Sequence, residues 1–391
     1  MFASRTSWPQ VPNRLSQVLD ERRRQGLPIL DLTESNPTRC DFTYKAGEIL
    51  TALADPRSLS YDPQPRGLLA AREAIAAYYA ERGINVDVER IFLTTSTSEA
   101  YAYVFRLLAN PGDNILVPSP GYPLFEILGG LNDLEAISYP LVYDHGWHMQ
   151  VETLRDRVNA RTRAIVVVHP NNPTGSFVKN QELKLLLECC RERSLALIAD
   201  EVFADYAFES DEKRVTTHAQ VADALTFTLS GLSKISALPQ MKLAWVVVNG
   251  PGGELQQALS RLEFIADAYL SVSAPLAHAL PELLETRRAI QPQILNRVRA
   301  NLRHLDSQLA PGTPVSRLET EGGWYAILRL PTTRSDDDWA IEFLSKDGVL
   351  VHPGHFYDFA SEGYVVLSLL PRPEEFAEGI RKILARVAEC I

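Results

Sequence analysis

The 391-residue chain has only four cysteines, Cys40, Cys189, Cys190 and Cys390, and their spacing fits neither a disulfide framework nor a metal site. No apolar run reaches the length of about 18 residues that a membrane-spanning helix needs. Residues 1–12 contain no apolar core of signal-peptide length. We therefore expect a reduced, cytoplasmic protein that has no metal and does not associate with a membrane.

Clusters of basic residues are also scarce, and the formal net charge is -10. This charge argues against nucleic acid as a partner. No Gly-x-Gly-x-x-Gly motif follows any strand-like run, which argues against a nicotinamide-dependent dehydrogenase. No basic helix-turn-helix segment precedes Asp31, which argues against a ligand-sensing module fused to a DNA-binding domain.

What the chain does contain is the composition of a globular protein, with 46% hydrophobic and 23% charged residues. Its length favours two domains. Between residues 90 and 250, apolar strand-like runs alternate with helical patterns, which predicts a largely parallel sheet covered on both faces. After residue 250 long helical stretches follow, in which we expect the prolines to mark breaks or first turns: Pro275, Pro281 and Pro292.

In open α/β sheets, ligands bind beyond the carboxyl ends of the strands. At one such end, residues 94–100 are rich in hydroxyl groups and lead into a helix, which suits either a phosphate site or simple helix capping by Ser96. At a second end, residues 169–175 (HPNNPTG) form either an ordinary turn or a ligand-facing amide. At a third strand end, Asp200 follows apolar residues, and its carboxylate needs a partner if it is buried. That partner is either the protonated ring nitrogen of a ligand, a helix end or a local arginine.

A lysine follows a further strand, in residues 230–234 (SGLSK). Lys234 is either a solvated surface residue or an amine that forms a Schiff base with a carbonyl ligand. Taken together, an amine, a carboxylate, an amide and phosphate donors at one rim are the groups that pyridoxal 5′-phosphate requires.

These segments, at their spacing along the chain, resemble the class I/II aminotransferases, the fold-type-I pyridoxal-phosphate enzymes. The most specific matches are residues 171–175, 200–206 and 230–234. The resemblance implies an α/β fold, with a large domain whose mainly parallel seven-stranded sheet lies between helices and a smaller α+β domain. We expect an N-terminal arm and part of the small domain at 1–45, a large cofactor-binding domain at 46–285, and a C-terminal small domain at 286–391.

The resemblance also implies roles for individual residues. Lys234 is the Schiff-base lysine and proton-transfer base, Asp200 holds the ring nitrogen protonated, Asn172 binds the ring hydroxyl, and Tyr122 stacks on the ring and counts among the catalytic residues. Tyr61 is expected to reach the phosphate of the partner subunit, which implies a homodimer with shared active sites. The residues implied to bind the phosphate are Ser96, Thr97, Ser233 and Lys242. Those implied to bind the substrate are Ser35, Asn36 and Asn172.

Three positions depart from the family pattern. Lys242 stands where arginine is more frequent, so the bidentate fork is lost. Phe203, expected beside the cofactor, stands where many relatives have a tyrosine that donates to the ring oxygen. Val366 replaces the arginine that binds the substrate carboxylate. Arg372 is either its substitute, if the loop folds back, or a solvated surface arginine, and His355 and Arg329 are further, weaker candidates.

The expected function is a pyridoxal-phosphate-dependent aminotransferase. It would move an amino group between an amino acid or amine and a 2-oxo acid by a ping-pong mechanism through a Lys234 Schiff base. Because Val366 cannot pair with a carboxylate, the alternative is a lyase or decarboxylase on the same scaffold.

Overall fold

The computed structural model describes residues 1–8, 12–270, 272–309 and 312–390. Helices cover both faces of a central sheet and continue into the C-terminal third of the chain. The α-helices of these ranges are α1 Arg14–Arg24, α2 Ala46–Leu53, α3 Leu69–Ala80, α4 Thr97–Leu108, α5 Phe125–Leu131, α6 Val151–Arg157, α7 Asn180–Arg193, α8 Leu232–Ile235, α9 Gly252–Tyr269, α10 Ala274–Glu285, α11 Arg287–Gln308, α12 Asp336–Glu342 and α13 Pro373–Glu389.

The strands alternate with helices up to residue 249 and are shorter afterwards. Those of the described ranges are β1 Leu30–Asp31, β2 Ile91–Thr94, β3 Asn114–Ser119, β4 Glu135–Tyr143, β5 Trp147–Met149, β6 Thr162–Val168, β7 Ala196–Asp200, β8 Thr226–Gly231, β9 Ala244–Asn249, β10 Ser316–Arg317, β11 Tyr325–Arg329, β12 Val349–Leu350, β13 His352–Pro353 and β14 Tyr364–Ser368.

The central sheet has the order β2-β9-β8-β7-β6-β3-β4-β5. Strands β8, β7, β6, β3 and β4 pair in parallel, whereas β9 is antiparallel to both of its neighbours. The predicted mainly parallel sheet is confirmed, with one correction. The sheet has eight strands rather than seven, because the three-residue strand β5 pairs antiparallel with β4 at one edge.

A second, four-stranded sheet has the order β10-β11-β14-β13, and β1 pairs separately with β12. Buried side chains of this region form one hydrophobic core that joins Leu32 near the N-terminus to residues of α11, β11, β14 and α13. This shared core supports a small domain built from both ends of the chain, and the boundaries 1–45, 46–285 and 286–391 stay a prediction.

Two of the three prolines do not interrupt their helices. Pro275 lies in the first turn of α10, as expected, but Pro281 is inside α10 and Pro292 is inside α11. Leu280, Leu283 and Leu284 of α10, together with Ile290 and Ile294 of α11, are buried. Burial of these side chains outweighs the about 3 kcal/mol that an interior proline costs. None of the helices within the described ranges combines the length and the apolarity needed to cross a membrane.

Candidate active site

Three adjacent parallel strands, β6, β7 and β8, end at the same edge of the central sheet. Asn172 follows β6, Asp200 is the last residue of β7, and Lys234 follows β8 on the single turn of α8. The three residue types that the sequence predicts to act together therefore lie at one rim.

Asp200 is buried, with 6% of its surface exposed. One carboxylate oxygen accepts a hydrogen bond from the backbone N–H of Val202 at 3.1 Å, and the other accepts one from the Tyr101 hydroxyl at 3.1 Å. Burial raises the pKa of Asp200 to about 6, while these two donors and the positive charge of Lys234 oppose the rise. The site thus contains a carboxylate held in apolar surroundings beside a cation.

The Lys234 ammonium lies between two aromatic rings, 4.8 Å from the ring centre of Trp324 and 5.3 Å from that of Phe203. It makes no hydrogen bond to any residue that the structure describes. Burial lowers the pKa of Lys234 to about 8, and the charge of Asp200 partly offsets that effect. A lysine amine with a lowered pKa is a better nucleophile near neutral pH.

The backbone around Lys234 is fixed by side chains from other elements. The Tyr206 hydroxyl donates to the carbonyl of Lys234 at 2.7 Å, and Gln291 of α11 donates to the carbonyl of Ile235 at 2.8 Å. The Tyr44 hydroxyl donates to the carbonyl of Ala237 at 2.9 Å. These bonds satisfy carbonyl groups that a one-turn helix leaves open.

Asn172 is buried, and its side-chain oxygen has no hydrogen-bond partner among the described residues. The preceding Asn171 turns its amide nitrogen inward instead, donating to the carbonyl of Pro120 at 3.0 Å and to the Thr174 hydroxyl at 2.9 Å. A buried amide oxygen without a partner is costly in a folded protein. Asn172 is therefore available to a bound ligand.

Helix α4 begins at the same rim, and two side chains cap its first turn. The Ser96 hydroxyl accepts from the backbone N–H of Glu99 at 3.1 Å, and the Glu99 carboxylate accepts from the N–H of Thr95 at 2.7 Å. The helix-capping interpretation of Ser96 is thereby confirmed. The first-turn N–H groups and the half-buried Thr97 still give this end the character of an anion site.

The sequence model described as "Aminotransferase class I and II" matches residues 29–383, which is most of the chain. The chain belongs to the class I and II aminotransferase family. The glutamate-pyruvate aminotransferase AlaA of Haemophilus influenzae is 27% identical over 370 residues, covering 92% of this chain and 90% of that protein. The alanine aminotransferase of Mycobacterium bovis is 26% identical over 371 residues, covering 92% and 85%.

Solved structures agree in fold. An aminotransferase from Escherichia coli superimposes with a TM-score of 0.86 at 24% identity, over 99% of this chain and 98% of that one. The alanine aminotransferase from Pyrococcus furiosus also has a TM-score of 0.86, at 21% identity and with both chains fully covered. The expected fold class and the expected aminotransferase activity are therefore confirmed, and no finding favours a lyase or decarboxylase.

In this aminotransferase, aromatic side chains enclose the space around Lys234. Phe203 is buried, and its ring centre lies 5.2 Å from that of Trp324 and 6.4 Å from that of Tyr325. Tyr122 is half-buried and packs edge-on against Phe125, and burial, then the nearby charge of Asp200, raises the pKa of Tyr122 to about 12. Both predicted ring-contact residues thus lie at the rim that carries Asp200.

The predicted substrate residues differ in their positions. Ser35 lies beside Tyr325 and forms a side-chain hydrogen bond with it. Burial raises the pKa of Tyr325, and this hydrogen bond partly opposes the rise. Asn36 uses its side-chain oxygen locally to accept from the N–H of Thr38 at 3.1 Å. Ser233 is half-buried, and Lys242 is exposed with a left-handed backbone.

Of the two interpretations of Arg372, the structure favours the surface arginine over the substitute for the carboxylate-binding arginine. Its side chain is 54% exposed and forms ion pairs with Asp41 at 3.0 Å and Glu375 at 3.5 Å. As the residue that precedes α13, it lies on the surface rather than folding back into the site. The carboxylates of Asp41 and Glu375 pair with the Arg372 guanidinium at the surface. The spacing of residues in the sequence does not reveal these ion pairs.

Val366 lies on the face of the second sheet that carries Tyr325. Tyr325 pairs with Ser368 and Ile327 pairs with Val366, so these side chains share one face. Val366 is fully buried and also lies opposite His352. The position is an apolar contact within a core and offers no cation.

Sequence reasoning missed two features next to Asp200. One is the Tyr101 hydroxyl, described above. The other is a buried cluster in which the Glu201 carboxylate accepts from the ring of His218 at 2.8 Å and from the Thr217 hydroxyl at 2.6 Å. The neighbouring His169 engages both ring nitrogens with the backbone of Val178 and Val215, so the cluster forms a hydrogen-bond network behind the rim.

Proposed function

We propose that this aminotransferase binds pyridoxal 5′-phosphate at the rim of β6, β7 and β8. We further propose that it moves an amino group between an amino acid or amine and a 2-oxo acid in two half-reactions. The observation that carries the proposal is the convergence of an unbonded Lys234 amine of lowered pKa, the buried Asp200 carboxylate and the unpartnered Asn172 oxygen.

The residues present fit this cofactor group by group. Asp200 supplies a carboxylate for a protonated ring nitrogen, Asn172 supplies the amide for the ring hydroxyl, and Tyr122 supplies an aromatic face for the ring. The phosphate would be bound by the first-turn N–H groups of α4, by Thr97, and by Ser233 and Lys242. Ser96 contributes chiefly by holding that helix end in shape, since its hydroxyl caps the helix.

When bound, the cofactor supplies an electron sink for the negative charge that develops at the substrate α-carbon. The chain supplies the proton transfer. Lys234 Nζ takes the proton from the donor's α-carbon and returns it, and its pKa of about 8 keeps a neutral fraction available at neutral pH. Phe203 and Trp324 exclude water from the amine, which strengthens its interaction with Asp200.

The names of the relatives support an α-amino acid as donor, because they are glutamate-pyruvate and alanine aminotransferases. The buried Val366 requires a different means of binding the carboxylate, and Ser35, Asn36 and Asn172 are the proposed substrate contacts. Hydrogen bonds from neutral groups would bind a carboxylate less strongly than the bidentate pair formed by an arginine guanidinium. We therefore propose weaker discrimination between amino acids and amines than an arginine would give.

A homodimer with shared sites is also proposed. Tyr61 is 78% exposed, and other large apolar side chains are exposed as well, including Leu59, Phe264 and Leu270. Tyr61 and Leu270 line one cleft, so the two segments are adjacent. An exposed apolar patch of this kind is typical of a protein interface. The proposed location is the cytoplasm, which suits the unbridged cysteines of the described residues.

The test is a two-stage exchange assay. Incubation with an amino donor should bleach the visible absorbance of the cofactor-loaded protein, and a 2-oxo acid should restore it. Screening amino acids and amines against a panel of 2-oxo acids would identify both substrates. Release of ammonia or carbon dioxide without a second substrate would contradict transfer and favour the lyase or decarboxylase alternative.

Lys234→Ala should abolish both the visible absorbance and the exchange, because it removes the amine that is proposed to bond the cofactor. The circular dichroism spectrum should be unchanged, since the side chain makes no hydrogen bond within the described ranges. Lys184→Ala, which alters an exposed lysine on α7, is the matched control and should behave as the unchanged protein. Exchange activity in Lys234→Ala would contradict the assignment.

A further inference from the structure

The hydroxyl of Tyr101 lies 3.1 Å from one carboxylate oxygen of Asp200, across 99 residues of sequence. Tyr101 is on α4, two turns before the end of the helix, and only 1% of its surface is exposed. Its partner is the carboxylate that the proposed function pairs with the cofactor ring. The helix whose N-terminus would hold the phosphate thus also contacts the acid that would pair with the ring nitrogen.

The direction of this hydroxyl is fixed by packing. The Tyr101 ring centre lies 5.6 Å from that of Phe105 and 5.5 Å from that of Phe125, with the Phe125 contact edge-on. Phe125 also packs edge-on against Tyr122, at 5.8 Å. Because its neighbours hold the ring in place, the hydroxyl cannot turn to another acceptor without repacking the core.

The two oxygens of Asp200 are held from opposite sides. Val202 N–H occupies one and Tyr101 O–H the other, so each oxygen keeps a further lone pair for a ligand. A donor to a carboxylate favours its ionised form, and two donors also define the plane of the group. The groups that face Asp200 besides these are Lys234, Glu201 and Tyr122.

We propose that Tyr101 is a positioning residue that keeps the Asp200 carboxylate ionised and aimed at the ring nitrogen of the cofactor. This role rests on the proposed function. A purely structural tyrosine would only need some acceptor for its hydroxyl, and it would leave the titration of Asp200 unaffected.

The pH dependence follows from the sign of the effect. Asp200 must be ionised to pair with a protonated ring nitrogen, so cofactor affinity should fall as the pH drops through the pKa of Asp200, which is about 6. Removing the Tyr101 hydroxyl takes away a donor to the ionised form, and the pKa rises. The loss of affinity should then begin at a higher pH.

The experiment compares Tyr101→Phe with Tyr103→Phe, a matched control on the same helix whose buried ring packs against Tyr269. In the cofactor-free protein, carbon-13 NMR of labelled aspartate should report a pKa of Asp200 about one unit higher in Tyr101→Phe. The dissociation constant of pyridoxal 5′-phosphate should rise about fivefold at pH 6 and less than twofold at pH 8. Tyr103→Phe should change neither quantity.

A second background isolates the carboxylate. In Asp200→Asn no charge remains to be held, so adding Tyr101→Phe should produce no further change in the pH dependence of cofactor binding. An unshifted Asp200 titration in Tyr101→Phe, or an equal shift in Tyr103→Phe, would overturn the role of Tyr101 alone. Failure of the unchanged protein to bind the cofactor at any pH would overturn the proposed function and this role with it.

Discussion

The side chains around the Lys234 amine are aromatic rather than polar, and that determines its acidity. The ring centres of Trp324 and Phe203 lie 4.8 and 5.3 Å from Nζ, while the charge of Asp200 opposes the effect of burial on the pKa. The aromatic faces attract the ammonium weakly and exclude its hydration shell. The result is an amine whose pKa of about 8 suits both bond formation and proton transfer near neutral pH.

Phe203→Tyr should lower the pKa of the linkage between the cofactor and Lys234. A tyrosine hydroxyl at this buried position would donate to the cofactor's ring oxygen, which is a stronger acceptor when the linkage is unprotonated. One such bond corresponds to a shift of about one unit. Absorbance titration of both cofactor-loaded proteins measures it.

Phe359→Tyr is a suitable control, because Phe359 packs against Trp147 and Tyr364 rather than against Lys234. Its titration should match that of the unchanged protein. Identical pKa values for the unchanged protein and Phe203→Tyr would reject a donor role at this position.

Single residues at strand ends were predictable because their chemistry is unusual there. A carboxylate at position 200 and a lysine at 234, both after apolar runs, demand partners that the sequence itself suggests. Tyr101 was not predictable, since an aromatic residue at helical spacing indicates only a core position. The sequence could not decide between the two interpretations of Arg372, because its ion pair with Asp41 joins residues distant in sequence.

Among the secondary-structure elements, helix α4 combines two tasks at its N-terminus. The side chains of Ser96 and Glu99 cap the helix and stabilise it, and the first-turn N–H groups face the rim where the phosphate is proposed to bind. The same position can therefore affect the free energy of unfolding and the cofactor affinity through separate mechanisms.

Two substitutions of Ser96 should separate these mechanisms. Ser96→Ala removes the cap and should lower the free energy of unfolding by about 1 kcal/mol. Ser96→Asp keeps a good cap but introduces a negative charge, so stability should be retained while phosphate binding weakens. Chemical denaturation and cofactor titration measure the two effects.

The contrast between the variants is the critical result. Equal cofactor affinity in Ser96→Asp and the unchanged protein would remove this helix end from the phosphate site. Loss of stability in Ser96→Asp as large as in Ser96→Ala would reject the capping role.

The long alternation of strands and helices was predictable, whereas the three-residue strand β5 and the course of the proline-containing helices were not. The alternation expected between residues 90 and 250 corresponds to strands β2 to β9 and the helices between them. Strand β5 has three residues and exists only through its pairing with β4, so no local pattern indicates it. Pro281 stays inside α10 because tertiary burial of neighbouring leucines determines the outcome.

For the whole molecule, the proposed dimer turns Tyr61 from an exposed side chain into part of an active site. Each site would combine Lys234 of one chain with Tyr61 of the other. This arrangement makes a prediction that no monomeric enzyme satisfies.

Mixed dimers of Lys234→Ala and Tyr61→Ala chains should contain one complete site each. Tyr61→Ala dimers should bind the cofactor more weakly than the unchanged protein and lose activity when its concentration is limiting. Lys234→Ala dimers should be inactive at any cofactor concentration. Mixing the two with subunit exchange should restore about half of the unchanged activity per mixed dimer. Exchange assays on mixtures, with affinity tags to isolate the mixed species, measure this.

Activity of the mixture equal to the average of the two separate proteins would contradict sharing. A mixture of unchanged and Lys234→Ala chains is the control, because its activity should simply follow the fraction of intact lysines.

The turn that bears Lys234 has its carbonyl groups held by Tyr206, Gln291 and Tyr44, each from a different part of the chain. These hydrogen bonds restrain the main chain at the lysine. In the proposed proton transfer, the amine would therefore move between the two carbon atoms chiefly by torsions of its four methylene groups. The length of the Lys234 side chain therefore sets the distance over which its amine can carry a proton. Replacing this lysine by an analogue that is one methylene shorter should abolish amino-group exchange, even though the amine itself is unchanged.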